Sequence, residues 1–274
     1  MPVRFSPIVV VITLGILTFG YASSARELDS IILDEDDRVC WRIYGSMNTM
    51  QDCLLRANSE IVEFVARRVE WIKESLKNNT KAIQLLNDAQ NAWKNTKDST
   101  CNSLIWKKYE EGSLQRTEPL RCHFYVQNDR YRMLDILYNT IKNNISLLRN
   151  SNLYNYEKIC WNIYGFNNNE KCLREYLKLA KKSMNGKISI IFEKEVLGNQ
   201  NNSNIEFHNS QKKWELEKEK TCNLFVVASN TNNKEIYSDS ISLWCKYLMT
   251  RDRERLLLRL YELNLHQIGI SVRQ

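Results

Sequence analysis

The chain has 274 residues, 43% of them hydrophobic, and a formal net charge of +7. This length permits one large domain or two small ones, and the apolar content is ordinary for a globular protein with a core. Only eight Gly and three Pro are present, which argues against a turn-dense β-protein and favours an all-α fold.

The N-terminal segment is predicted to be a targeting sequence and not part of the fold. Arg4 precedes an apolar run over 8–20, and small residues follow at 22–25. This pattern is typical of a secretory signal peptide over residues 1–25, and the run is short for a bilayer span. An uncleaved anchor is the alternative. We therefore expect an exported protein, periplasmic or secreted, with no stable membrane span after cleavage.

Eight cysteines in an exported chain predict disulfides, because the compartment is oxidising. No close Cys pair occurs, and the three His form no ligand-spaced cluster with the cysteines, so we expect no metal. The cysteines are Cys40, Cys53, Cys101, Cys122, Cys160, Cys172, Cys222 and Cys245.

The chain contains an internal repeat with an offset near 120 residues. Residues 40–45 read CWRIYG and residues 160–165 read CWNIYG. In each half a Gln stands three residues before a Trp, and a Cys follows that Trp by eight residues. Later in each half an Asp-Arg pair precedes a Leu-rich stretch, at 129–130 and 252–253. So many ordered matches indicate duplication of one helical unit, predicted over 26–150 and again over 151–274.

The first unit opens with an acidic run, Asp34, Glu35, Asp36 and Asp37. It is a solvated leader or, alternatively, a contact for a cationic partner. Apolar residues at three- and four-residue steps then predict a helix over 50–77, broken near 78–80, and a second helix over 82–109. Arg68 interrupts the first stripe, and we expect its charged head to extend outward.

The third helix of the first unit has the most regular pattern. A loop is predicted over 112–118, and Pro119 suits the first turn of the helix that follows. Apolar positions from Leu120 to Leu148 step four and three residues with one polar exception, which is a heptad seam. The seam indicates internal packing of a three-helix unit, with a coiled coil to a partner as the alternative. The second unit repeats the plan, with helix breaks near 198–204 and 229–233.

Four cysteines in each unit allow three pairings within that unit. We favour first with second and third with fourth, because each pair then joins chain segments that must fold back on one another. Each closed loop contributes about 3 kcal/mol in the chain-entropy model. The favoured bridges are Cys40–Cys53, Cys101–Cys122, Cys160–Cys172 and Cys222–Cys245.

The order of cysteines, the Gln-x-x-Trp helix and the Asp-Arg pair resembles the LprI-type lysozyme-inhibitor N-terminal domain, twice over. That resemblance implies small exported helical domains cross-linked by disulfides. Asp98 looks like the acidic residue of the family's Arg-Asp pair, but Lys97 precedes it, and Lys218-Glu219 stands there in the second unit. The residues that carry the resemblance, besides the cysteines, are Gln90, Trp93, Arg130, Gln211, Trp214 and Arg253.

The resemblance implies a non-catalytic protein that binds a lytic enzyme such as lysozyme. The sequence shows no nucleophile–base arrangement and no phosphate-binding loop, and the three His are expected to be surface or packing residues. We expect no cofactor and no nucleic-acid partner. Residues 26–150 have 19 Lys or Arg and 18 Asp or Glu, whereas 151–274 have 19 and 14. A basic inhibitor would repel a cationic lysozyme, so the first unit, through residues 34–37, is the expected contact. The alternative function is a structural or adhesive envelope module whose basic second unit binds an anionic surface. The basic residues of the second unit also have a simpler interpretation, which is an ordinary solvent-exposed helix surface.

Overall fold

The computed structural model describes residue 40 and the ranges 47–105, 114–143, 169–193, 201–229 and 238–267. These ranges are helical and contain no strand, which confirms the predicted all-α fold with three helices in each half. The helices are α1 (Met47–Ser75), α2 (Thr80–Ile105), α3 (Leu114–Asn143), α4 (Asn169–Glu193), α5 (Asn201–Ser229) and α6 (Ser238–Gln267).

The break between α1 and α2 lies where the sequence predicts it. Asn79 caps α2, since its side-chain Oδ1 accepts a hydrogen bond from the Ala82 backbone N–H at 3.0 Å. At this break the helix ends differ from the predicted ones by two residues, as α1 ends at Ser75 and α2 begins at Thr80. Local turn chemistry was therefore sufficient to place this connection.

The start of α3 corrects the prediction made from Pro119. The helix begins at Leu114, so Pro119 lies inside it and part of the expected loop over 112–118 is helical. Pro119 has no backbone N–H to donate to the Gln115 carbonyl, so this turn lacks one intrahelical hydrogen bond. The Glu118–Arg121 ion pair at 2.9 Å spans this turn and stabilises it.

The helices do not pack as two independent bundles side by side. Within each half, the first helix packs on the third, α1 on α3 and α4 on α6. The second helices, α2 and α5, pack extensively on one another across the two halves. One apolar core therefore contains residues from all six helices, including Trp93 and Phe225. In contrast, α1 and α2 barely touch, which leaves a groove between them.

The disulfides of the described residues follow the favoured pairing. Cys40–Cys53, Cys101–Cys122 and Cys222–Cys245 are bridged, with Cα–Cα distances of 5.7, 5.6 and 5.5 Å. Cys172 is also disulfide-bonded, and its predicted partner Cys160 lies outside the described residues.

Two further predictions concern residues outside the described ranges, namely the signal peptide over 1–25 and the acidic run over 34–37. Among the helices that the structure describes, none has the length and apolar character needed to cross a membrane.

Candidate functional site

The six non-cysteine residues that carry the repeat motif converge on the centre of the molecule. Trp93 of α2 and Trp214 of α5 are both buried there, where these two helices pack together. Arg130 of α3 and Arg253 of α6 lie over the respective Trp rings, with guanidinium carbons 5.9 and 5.8 Å from the ring centroids. Each Trp is thus a core residue stacked under a buried arginine.

The two arginines bind across the boundary between the halves in a reciprocal manner. Arg130 Nη1 donates to Thr221 Oγ1 at 3.1 Å, and Arg253 Nη1 donates to Thr100 Oγ1 at 3.0 Å. Each Thr directly precedes the third cysteine of its half, so the two contacts are equivalent in the repeat. The duplicated halves are therefore related by a pseudo-twofold arrangement, and each half completes the polar core of the other.

The Gln of each motif holds the arginine of its own half. Arg130 Nε donates to Gln90 Oε1 at 3.0 Å, and Arg253 Nε donates to Gln211 Oε1 at 3.4 Å. A Gln three residues before the Trp lies on the same helical face, which explains the spacing of the motif. Ser210 adds a local contact, since Arg253 Nη2 donates to its Oγ at 3.1 Å.

A cavity of about 50 Å³ lies between these groups, close to the pseudo-twofold position. Its lining consists of residues that are equivalent in the two halves, paired as Trp93 with Trp214, Thr96 with Glu217, Val126 with Met249, Asp129 with Asp252, Arg130 with Arg253 and Met133 with Leu256. Ligand pockets usually measure about 300 Å³ or more, so the cavity is too small for a substrate of that class.

Carboxylates and guanidinium groups from α3 and α6 meet at the edge of this cavity. Arg132 lies 3.9 Å from both Asp129 and Asp252, and Arg255 lies 3.8 Å from Asp129 and closer still to Asp252. Burial, together with the neighbouring Asp252, raises the pKa of Asp129 to about 8 against the opposing effect of Arg255 and Arg259. This cluster joins the third helices of the two halves.

Glu217 is the acidic partner of the buried arginines. Burial raises the pKa of Glu217, while Arg130, a hydrogen bond with Thr96 and Arg253 lower it. Burial also lowers the pKa of Arg130 and of Arg253 to about 10, and Glu217 opposes this in both, so the arginines stay charged at neutral pH. Asp98, by contrast, is exposed and pairs with Lys97 at 3.6 Å.

The second half buries one further charge beside its Trp. Lys218 is nearly inaccessible, lies 4.3 Å from the Trp214 ring centroid and pairs with Glu215 at 2.5 Å. Burial lowers its pKa, and the neighbouring Glu215 carboxylate opposes this. In the first half Lys97 occupies the equivalent position, 5.6 Å from Trp93 and more exposed.

The groove between α1 and α2 is the larger opening, with a volume of about 690 Å³. Its apolar lining comes mainly from α1, including the half-exposed Val62 and Trp71 and the buried Val65. α2 contributes Asn87, Gln90 and Asn91 together with Trp93 and Lys94. Gln90 and Trp93 thus join the outer groove to the central polar core.

The position of Arg68 corrects the expectation that its head extends outward. Its guanidinium carbon lies 4.8 Å from both the Trp71 and the Tyr138 ring centroids, and its Nη2 pairs with Asp135 at 2.7 Å. Trp71 and Tyr138 also contact each other, with ring centroids 5.8 Å apart. The charge turns inward because two aromatic faces and a carboxylate on α3 surround it.

Comparison of the chain with family models, curated proteins and solved structures found no match. The resemblance to the LprI-type domain therefore stays a prediction, based on the sequence pattern alone.

Some residues of the central core were not singled out as site residues from the sequence. Asp129 and Asp252 were visible as repeat matches beside the motif arginines, but nothing indicated that they meet across the halves. Thr100 and Thr221 carry a weak signal, since each precedes an aligned cysteine. No group of His, Cys, Asp or Glu in the described ranges is arranged to hold a metal ion.

Proposed function

We propose that this is an exported, non-catalytic binding protein whose contact surface includes the groove between α1 and α2. The observation that carries the proposal is the groove itself. It is within the usual volume range of binding pockets, about 300–1,000 Å³, and Val62 and Trp71 keep 49% and 50% of their surface exposed beside it. Large apolar side chains gathered beside a polar rim are typical of a recognition surface.

The arrangement of the reactive groups supports binding over catalysis. The buried carboxylates and arginines of the central core face one another around a small cavity, and their contacts join the two halves. Burial lowers the pKa of His123, with Lys97 acting in the same direction, so this imidazole is neutral at physiological pH and lies away from that cavity. His208 lies beside the Phe207 ring, with centroids 6.3 Å apart.

Lysozyme-type enzymes are the first partner that we propose, on the strength of the sequence resemblance. The charged residues of the groove do not favour a cationic lysozyme there, because Arg67, Lys73 and Lys94 outnumber Glu70. The acidic run over 34–37 is the better match for such a partner. The test is lysis of cell-wall suspensions by lysozyme in the presence of the oxidised mature protein. We expect slower lysis, and unchanged lysis at stoichiometric excess would remove this partner.

Adhesion to an anionic surface is the second candidate function, and α4 supplies a specific observation for it. Over residues 170–189 this helix has six basic and two acidic residues, and its outer face presents Lys178, Lys181 and Lys182 around the exposed Leu179. Such a face fits an anionic lipid surface or wall polymer. Retention on anionic vesicles or wall polymer that is lost on replacing these three lysines with Gln would support adhesion. Retention that survives the change would remove α4 as the contact.

A further inference from the structure

We propose that the α1–α2 groove binds an acidic amphipathic helix of a partner protein. This inference rests on the proposed binding function and names the chemistry that the partner must present. It is carried by the length of the groove, by an immobilised aromatic anchor, and by the sign of the charges along its edges.

The shape of the groove fits a helix. Its α1 wall extends from Val62 to Lys73, which is about 17 Å at 1.5 Å per residue, or three helical turns. Val62, Val65 and Val69 lie at i, i+3 and i+7 along this wall, and Val62 supplies the exposed part of the stripe because Val65 and Val69 also pack into the core. A partner helix with apolar residues at the same spacing can pack between α1 and α2, because neither helix fills the space beside the other.

Trp71 is the anchor residue, because its surroundings hold it in place. Arg68 stacks on its ring, Tyr138 contacts it from α3, and Arg68 is itself fixed by the ion pair with Asp135. Half of the Trp71 surface nevertheless stays exposed. A large aromatic group that is already immobilised loses little conformational entropy on binding, which is the usual property of an interface hot spot.

The charges of the lining favour an acidic partner. The ionisable groups of the groove are Arg67, Glu70 and Lys73 on α1 and Lys94 on α2, which sum to +2. Glu70 pairs with Lys73 at 2.7 Å. One uncompensated positive group therefore remains on each wall, Arg67 on one side and Lys94 on the other. A helix with an apolar stripe flanked by Asp or Glu complements both the stripe and the charges.

Comparison of the two halves shows that the fold does not require this chemistry. In the second half, the position equivalent to Val62 by the cysteine offset is Lys181, and the position equivalent to Lys94 by the Trp offset is Glu215. Both replacements are exposed on the same helical scaffold. The apolar stripe and the positive edge are thus particular to the first half, and the second half supplies substitutions that the scaffold tolerates.

The test uses the full mature protein with its disulfides intact and two fluorescein-labelled peptides. Each peptide is a helix of about 18 residues with one Leu stripe, flanked by Glu in the first peptide and by Lys in the second. We expect fluorescence anisotropy to show binding of the Glu peptide at least about tenfold tighter than that of the Lys peptide, with the difference reduced by salt.

Matched variants locate the site. Val62→Lys and Lys94→Glu should each weaken binding of the Glu peptide about tenfold or more. Leu55→Lys is the control, because Leu55 is 47% exposed on the same helix and does not line the groove. It should leave the affinity unchanged. Circular dichroism and the melting temperature of each variant check that the helices are intact.

Several results would overturn the proposal. Equal affinity for the two peptides, or affinity that survives Val62→Lys, would show that the groove does not select an acidic helix. Concentration-dependent association of the protein that Val62→Lys abolishes would show that the occupant is a second copy. Peptide affinity that appears only after deletion of residues 26–39 would show that the occupant is the chain's own acidic segment. If neither peptide binds but lysozyme or an anionic surface does, the binding function stands and this occupant is refuted.

Discussion

The carboxylate pair Asp129 and Asp252 at the junction of α3 and α6 makes stability depend on pH in a defined direction. Arg255 and Arg259 of α6, Glu217 of α5, Arg132 of α3 and the partner Asp252 surround Asp129. Its pKa is raised from 3.8 to about 8, so the folded protein binds more protons than the unfolded chain between these values. The stabilising contribution of the protonated form is complete below the unfolded pKa and is lost as the pH rises through the folded pKa.

The size of this effect follows from the shift. One proton taken up on folding changes the free energy of unfolding by at most about 1.4 kcal/mol per pH unit, or about 6 kcal/mol over the whole interval. The Asp129 side chain keeps 21% exposure and lies 3.8–3.9 Å from Arg255 and Arg132, both of which favour the ionised form. We therefore expect Asp129→Asn to stabilise the protein by about 2 kcal/mol at pH 8 and to leave its stability nearly unchanged at pH 4.5.

Urea unfolding at a series of pH values, with the disulfides intact, measures this difference directly. Asp98→Asn is the control, because Asp98 is exposed and its replacement changes the net charge by the same amount. The control should show no comparable gain in stability at pH 8. If the free energy of unfolding of Asp129→Asn has the same pH dependence as that of the wild type, the argument that the surroundings raise the pKa of this carboxyl group is refuted. A variant that is less stable than the wild type at pH 8 would refute it as well.

Three further changes test the central core. Trp93→Ala removes a buried ring beneath Arg130 and should lower the free energy of unfolding by about 3–5 kcal/mol, and a fully stable variant would show that Trp93 is not a core residue. Arg253→Met removes one of the two buried positive charges near Glu217 and should lower the free energy of unfolding, measured in urea, by about 3–5 kcal/mol. A loss below about 1 kcal/mol would contradict the described contacts. Replacing Cys222 and Cys245 together with Ala should cost about 3 kcal/mol in the chain-entropy model, and a loss confined to local fraying in hydrogen exchange would contradict a global role.

Local patterns predicted the helices and cysteine pairs because those features depend on neighbours in the chain. The three- and four-residue apolar steps placed α1 and α2, and Asn79 marked the break between them. The third cysteine of each half was expected to pair with the fourth across consecutive helices, and the bridges Cys101–Cys122 and Cys222–Cys245 confirm this. These inferences need only helix geometry and the reach of a disulfide.

The packing between the halves was not predictable in the same way. The periodicity of α3 identified a heptad seam, but Val126, Met133 and Ile136 outside that seam are also buried. They face a neighbour that the stripe alone does not specify, because α3 also contacts α2, α5 and α6. Likewise, the Arg68 side chain was predicted to extend into solvent because its partners, Tyr138 and Asp135, are some 70 residues away in the chain. Long-range aromatic and ionic contacts leave no trace in a local pattern.

The reciprocal arginine contacts bear on where the function resides. Arg130 of the first half needs Thr221 of the second, and Arg253 of the second needs Thr100 of the first. An isolated half would lose these hydrogen bonds and would expose to water the surface that α2 and α5 bury against one another. The groove depends on the same core, since Gln90 lines the groove and also accepts a hydrogen bond from Arg130. The binding surface of the first half is therefore supported by the second half, and the intact chain is the unit on which recognition has to be measured.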